Sequence, residues 1–573
     1  MTAFRIAACA GALAVLAGCT ASVPRPPPAA APAKPDLVVM VAVDQYSAAL
    51  FNRWRSQYRD GLARLQREGI VYDNAYQTHG LTETCPGHST LLTGKTPAHT
   101  GIVGNSWYDG VAGKAVYCLA APDYRDARGD PKAPRVGPTN LVASTLGDWL
   151  KQASPGSRVV AVAGKDRAAI TLGGHRADAA FWYIDGFGFT TYAAPGEDAA
   201  AKLAPLAALN AKVQQAYVPP PAWTYRHDAC RALEASYRIG GADWQSGLPP
   251  MLPAKPGEAP KPARALQIMD PLTLEAAFTL IEHYKLGRRG ATDLLAISFS
   301  ATDFVGHGYG TAGPEMCEQM YRLDGLMGRL LARLESLGVR VLLALSADHG
   351  GTDFPERLAR QGYPQARRID GKALLAGVNA QLRGRLGLAH DPLASPDLMQ
   401  LYAVDAAGRQ LAEPQRARVV EAALEILRAQ PEVAAAYALQ ELLAHHPRGV
   451  DPELMTLRDR FAQSAMAGRS GDIVIAYQPG ITVAPARLTS YIEGHSGPYD
   501  LDRRVPIVFW WPGAPAQTRI LPVATTDIAP TLAHIVGIGA PADLDGRCLD
   551  LADFDSDSGA GPCPAAAGAP PRP

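Results

Sequence analysis

Five stretches of the chain carry unbroken runs of β-branched and other apolar residues: 36–43, 158–163, 293–298, 339–346 and 505–511. Runs without polar alternation predict strands buried on both faces, as in a parallel sheet covered by helices. Elsewhere apolar residues recur at i, i+3 and i+4, which predicts helices over 58–68, 89–93, 141–152, 271–285, 315–337 and 414–428. Strands alternating with helices predict an α/β fold: a doubly wound, mostly parallel sheet with helices on both faces. Two stretches break the rhythm. Residues 194–262 are rich in Ala, Pro and Gly, with aromatic islands at Trp223 and Trp244, and 354–472 are charged and largely helical in pattern. Both are expected to be insertions in one body spanning 36–553.

The ends carry no such pattern. After Arg5 comes a short apolar run, 6–18, too short to cross a bilayer and suited to an export signal. It closes on Leu16-Ala17-Gly18-Cys19, which resembles the bacterial lipobox; the resemblance implies that Cys19 becomes the lipidated first residue. Residues 19–35 are Pro/Ala-rich and read as a semi-rigid tether, and 554–573 as a loose tail. The expectation is an exported, periplasmic lipoprotein that meets the membrane only through Cys19. Thr20 and Ala21, neither of them Asp, favour the outer membrane. No later run of eighteen apolar residues exists, which excludes a polytopic membrane protein.

Composition narrows the function. Lys+Arg and Asp+Glu are equal at 55 each, so the basic excess of a nucleic-acid binder is missing. A 47% hydrophobic content suits a large core. Of eight cysteines, Cys9 leaves with the signal and Cys19 takes the lipid. The remaining six can pair in fifteen ways in an oxidising compartment. Pairing nearest neighbours predicts Cys85–Cys118, Cys230–Cys317 and Cys548–Cys563. No C-x-x-C pair suggests a cysteine zinc ribbon.

The chemistry gathers at strand ends. The first run ends in Asp44, the third is followed by Asp303 with His307 four residues on, and the fourth by Asp348-His349. Gly494-His495-Ser496-Gly497 adds an imidazole late in the chain. Singly, each has an ordinary reading: an Asp after a strand caps a helix, and a lone His is a core or surface residue. Together they converge, because ligands of open α/β sheets bind at the carboxyl ends of strands. Such a cluster needs a positive charge, and mixed Asp/His sets suit zinc.

The densest motif runs from Thr82 to Asn105. Pro86 fits the start of a helix, where free N–H groups and the helix dipole favour an anion. By residue type Thr84, Cys85 and Ser89 are all candidate nucleophiles, though Cys85 needs a free thiolate. Thr84-x-Pro86, Thr93-Gly94-x-x-Pro97, Gly101-Ile102 and Asn105, with the strand-end cluster, resemble the alkaline phosphatase superfamily in its Thr-nucleophile branch. That branch holds the nucleotide pyrophosphatase/phosphodiesterases and the bacterial phosphate-irrepressible alkaline phosphatases. The resemblance implies two Zn2+ ions: one held by Asp303, His307 and His495, the other by Asp44, Asp348, His349 and the oxygen of the nucleophile Thr84. Lys165-x-Arg167, after the second strand, resembles the phosphate-irrepressible alkaline phosphatases. There it implies that both cations, with Asn105, contact the transferred phosphoryl group. Two cations match a dianionic phosphate monoester better than a monoanionic diester. The expected function is thus a zinc-dependent alkaline phosphatase, a phosphomonoesterase working through a phosphothreonine. The expected partners are small phosphate monoesters, and the expected state is a monomer. The alternatives are a phosphodiesterase of the same superfamily and a non-catalytic metal-binding lipoprotein.

Overall fold

All five apolar runs enter one nine-stranded sheet. Its strands are β1 (Leu37–Val43), β2 (Ile70–Tyr72), β3 (Val159–Ala163), β4 (Ala179–Ile184), β5 (Gly188–Thr190), β6 (Asp293–Phe299), β7 (Val341–Ser346), β8 (Ile507–Trp510) and β9 (Gln517–Arg519). They lie in the order β9-β2-β8-β7-β1-β6-β3-β4-β5. This computed structural model describes residues 34–215, 223–252, 261–262, 267–447, 449–484, 488–489, 491–551 and 563. The export signal, Cys19, residues 19–33 of the tether and the tail (apart from Cys563) lie outside the described residues.

The middle of the sheet, β7-β1-β6-β3-β4, is parallel. Its flanks are mixed, which corrects the expectation for 505–511: β8 runs antiparallel to both β7 and β2. The reason is positional. The chain reaches β8 from the loop around His495, at the carboxyl edge of the parallel strands, and can only run back down the sheet. Strands β2, β5 and β9 have three residues each, too few to show a period.

Among the helices are α1 (Gly61–Glu68), α2 (Thr84–Thr93), α3 (Leu146–Ala153), α4 (Asp166–Gly173), α5 (Met269–Tyr284), α6 (Ala301–Tyr309), α7 (Pro314–Ser336), α8 (Gln415–Arg428) and α9 (Ile528–Val536). They cover both faces. Leu37, Val39, Val41 and Val43 of β1 join the core under α1, α5 and α7. Val38, Met40 and Ala42 join the one under α2, α3, α4 and α9. A strand buried on both sides carries no polar alternation, which is why these runs were legible.

In 354–472 the helical pattern holds only in part, because strands lie between the helices. Helix Gly371–Leu386 and α8 accompany a four-stranded antiparallel sheet of Leu393–Ala394, Gln400–Ala403, Ile473–Tyr477 and Val433–Ala438, in that order. Val433–Ala438 is mostly Ala, a helix former, and cross-strand pairing overrides that preference. In the other interruption Trp223 and Trp244 are buried, and Cys230–Cys317 ties the segment to α7. Cys85–Cys118 and Cys548–Cys563 form as well, so all three neighbour pairings occur. No described helix is long and apolar enough to cross a membrane.

Candidate active site

Four adjacent parallel strands end level. Val43 stands opposite Phe299 and Ala42 opposite Ser346. Asp44 follows β1, Asp348 follows β7, Asp303 lies in the first turn of α6 after β6, and Lys165 follows β3. Helical spacing puts His307 on the same face as Asp303. His495 arrives from the loop before β8. Gln45 and Ser496, next to Asp44 and His495, hold left-handed backbone at φ 59° and 88°. Such strain costs about 1–3 kcal/mol per residue and gathers at functional sites. Here it aims the Gln45 N–H at Asp348 Oδ1, 3.1 Å away.

Three imidazoles share one wiring. Nδ1 of His307 meets the Glu493 carbonyl at 3.1 Å, that of His349 the Gly350 carbonyl at 2.8 Å, and that of His495 the Thr82 carbonyl at 2.8 Å. A carbonyl can only accept, so each Nδ1 carries a proton, and each ring presents Nε2 as a lone pair once that nitrogen is deprotonated. His307 Nε2 lies 3.4 Å and His495 Nε2 3.5 Å from Asp303 Oδ1. His349 Nε2 lies 3.6 Å from Asp44 Oδ1 and 3.4 Å from Asp348 Oδ2. Asp44 Oδ1, Asp303 Oδ1 and His349 Nε2 are buried without a hydrogen-bond partner, while Asp44 Oδ2 has Lys165 beside it and Asp348 Oδ2 has His88. Orphaned acceptors in this number are costly unless a cation satisfies them, so the residues fit a metal centre.

Two sets can each converge on one ion: Asp44, Asp348 and His349, and Asp303, His349 and His495. The first is an expected trio. The second unites the expected Asp303 and His495 with His349, whose ring stacks on His495 at 3.7 Å. His307 stands beside it, against Asp303.

Charge follows from burial. Burial, then neighbouring Asp348, pushes Asp44 well above the usual carboxylate range. Burial lowers His349 to about 3 and His307 to about 4, which keeps both neutral. For His495 burial acts downward, but Asp303 lifts it to about 9. Lys165 lies 2.6 Å from Asp44 Oδ2 and 2.5 Å from Asp303 Oδ2. Burial would lower its pKa, yet Asp303 and Asp44 hold it above the ordinary value. Thus Lys165 sits among the carboxylates, while Arg167 reaches the hydroxyl: its Nη2 is 3.5 Å from Thr84 Oγ1.

The three candidate nucleophiles separate. Cys85 is in a disulfide. Ser89 Oγ donates to the Pro86 carbonyl at 2.7 Å and lies 3.0 Å from Thr100 Oγ1, inside α2. Thr84 opens α2 and faces Arg167. The Asn105 side-chain oxygen accepts from the Cys85 N–H at 2.8 Å.

Two residues that pattern reasoning missed complete the site. Gly87 lets α2 touch the Asp348 backbone: a Cβ there would stand 2.0 Å from the Asp348 carbonyl oxygen. His88 is held at both nitrogens. Its Nδ1 is 3.0 Å from Asp348 Oδ2 and 3.0 Å from the Thr84 carbonyl, and its Nε2 is 2.9 Å from Ser298 Oγ. The only sequence signal was their place in Pro86-Gly87-His88.

Residues 38–499 match the family described as type I phosphodiesterase / nucleotide pyrophosphatase. The chain belongs to that family. It is 39% identical over 526 residues to alkaline phosphatase PhoD of Zymomonas mobilis, covering 90% of this chain and 88% of that protein. It is 36% identical over 542 residues to alkaline phosphatase PhoK of a Sphingomonas species, covering 92% and 93%. The crystal structure of alkaline phosphatase PafA superposes with a TM-score of 0.76 at 25% identity, over 90% of this chain and 99% of that one. Membership in the alkaline phosphatase superfamily, expected from the Thr84 motif, is therefore borne out, as is the α/β fold.

Proposed function

We propose that this family member is a zinc-dependent phosphatase that hydrolyses phosphate monoesters through a phosphothreonine on Thr84. The observation that carries this reading is the meeting of Thr84 Oγ1, at the start of α2, with Arg167 beside two convergent Asp/His sets. The relatives named alkaline phosphatase support it.

Asp44, Asp348 and His349 would hold one divalent ion, and Asp303 and His495, with His307 or His349, a second. Bound zinc supplies Lewis acidity, which favours the Thr84 alkoxide and offsets charge on the entering and leaving oxygens. Thr84 Oγ1 forms a bond to phosphorus as the ester oxygen departs with a proton as the alcohol. Water then attacks the phosphothreonine, returns Thr84 and releases phosphate. Arg167, the Asn105 amide and Lys165 are assigned to the nonbridging oxygens, and the dipole at the start of α2 adds to their field.

The family's own description favours one other reading, a phosphodiesterase. Measuring kcat/KM for an aryl phosphate monoester and its methyl diester separates the two. The monoester is expected to be preferred, and Lys165→Ala or Arg167→Ala is expected to cost it about 10²–10³-fold, far more than the diester. A wild-type preference for the diester would replace the first reading with the second.

The address belongs to the same proposal: signal 1–18, lipid on Cys19, tether 19–35, and an outer-membrane anchor. Mass spectrometry of the mature N-terminus should find a lipidated Cys19. A mature chain beginning elsewhere rejects the anchor.

A further inference from the structure

The residues on either side of Thr84 do the same thing. Glu83 accepts the backbone N–H of Asn105 through Oε2 at 2.5 Å. The Cys85 N–H donates to Asn105 Oδ1 at 2.8 Å. Asn105 is held from a third side, because its carbonyl accepts the N–H of Cys118 at 3.0 Å. Cys118 is in turn bonded to Cys85. Ser106 and Tyr117 are paired in the hairpin of Ser106–Asp109 and Lys114–Tyr117, so Asn105 and Cys118 follow in register. The disulfide therefore pins this end of the hairpin to the residue after Thr84.

Three of the four hydrogen-bonding groups of Asn105 are thus used. The backbone N–H of Cys85 can only donate, so the side-chain atom facing it is the oxygen. The planar amide then has one orientation, and Nδ2 is left with no partner among the described residues. That is the donor a phosphoryl oxygen on Thr84 would need. Both sulfurs belong to fully buried residues. Glu83 is itself anchored, since Ser496 Oγ donates to its Oε1 at 3.3 Å.

We infer that Glu83 and the Cys85–Cys118 disulfide are positioning residues, a clamp that aims the Asn105 amide at the phosphoryl group carried by Thr84. The clamp rests on the proposed phosphatase reading. It has a plain rival: a disulfide bridging 33 residues of sequence also stabilises by restricting the unfolded chain, wherever it lies. The two differ in what they act through. A clamp acts through Asn105 and loses its purpose when Asn105 is gone, whereas a staple does not.

A double-mutant cycle decides between them. The zinc-loaded full chain is assayed for kcat and KM on an aryl phosphate monoester as wild type, Asn105→Ala, the double variant Cys85→Ala/Cys118→Ala, and the combination of all three. Thermal midpoint and zinc content are read on the same samples. Asn105→Ala should cost about 10²–10³-fold in kcat/KM, as loss of one such donor does elsewhere. The cysteine variant should lose at least about tenfold, mainly in kcat, with its zinc retained. In the Asn105→Ala background the same cysteine change should alter kcat/KM by no more than about twofold, the spread of independent sites. If the losses multiply instead, the disulfide is a staple and the clamp is wrong, with the phosphatase reading untouched. If Asn105→Ala alone leaves turnover unchanged, the clamp falls together with the role assigned to Asn105. Should the cysteine variant not fold, Glu83→Gln, which removes the charge from the other jaw, takes its place in the cycle: a loss that vanishes in the Asn105→Ala background supports the clamp, and a loss that multiplies overturns it.

Discussion

His88 carries no unsatisfied atom, and that sets it apart from the imidazoles that present a bare Nε2. Its Nδ1 lies between a carboxylate proposed to hold metal and the carbonyl of the proposed nucleophile. Donors of this kind orient a metal ligand, and removing them typically weakens metal binding about 10–100-fold. His88→Leu should show such a loss in chelator-competition titrations, and His88→Asn, whose amide can replace the Nδ1 donor, should recover part of it. Equal zinc affinity in wild type and His88→Leu would remove His88 from the centre. At Thr84 itself the expectation is larger. Thr84→Ala should cut turnover by several powers of ten with the fold intact, and rapid quench with a labelled monoester should leave no label on the protein. Label recovered on Ser89 would transfer the role there.

Helix α2 works because of where it can lie. Gly87 permits contact with the Asp348 backbone, so Gly87→Ala must push the helix back or move the strand end. Forced overpacking of this sort costs about 1–3 kcal/mol. The expected result is a lower thermal midpoint together with a loss of kcat, because Thr84 moves with the helix. A midpoint shift with unchanged kcat would show that Thr84 holds its place without that contact. A second element carries a pH signature. Asp148 closes the capping box of α3 with Thr145, and His175, after α4, meets it at 3.2 Å. Burial would raise the Asp148 pKa, but the His175 hydrogen bond and the Thr145 N–H bring it below the ordinary value. The same bond to Asp148 raises His175. A carboxylate with a depressed pKa contributes stability above its unfolded value, about 3.9, and loses it as pH falls through the folded one. A raised histidine contributes fully below its unfolded value, about 6.5, and loses it as pH rises through the folded one. Both are therefore present between about pH 4 and 6.5. His175→Gln should lower the thermal midpoint more at about pH 5.5 than at about pH 9. An equal shift at both would mean that the pair is not an ion pair.

At the scale of the molecule, seven polar side chains from five separated segments converge on one end of the sheet: Asp44, Thr84, Asp303, His307, Asp348, His349 and His495. Metal held this way is coupled to folding, worth about 4 kcal/mol at a thousandfold excess over Kd. Exhaustive chelation should abolish activity and lower the calorimetric midpoint, and added zinc should restore both. An unchanged midpoint would mean that the cluster stands without an ion.

What the chain determined by itself is local. The central strands were legible because burial on both faces leaves runs with no polar position. The strand-end carboxylates were legible because a strand, once placed, says which of its ends faces the crevice. Pro86 marked the start of α2, and the spacing from Thr84 to Asn105 marked the superfamily. The tertiary structure decided which distant segments meet. It turned β8 antiparallel, made a sheet of segments within 354–477, put His349 within reach of both metal sets, and joined Gly87 and His88 to Asp348. Periodicity reports only which face of an element is buried. What lies against that face is set by loop paths and close packing between residues hundreds of positions apart, and no local pattern carries that information.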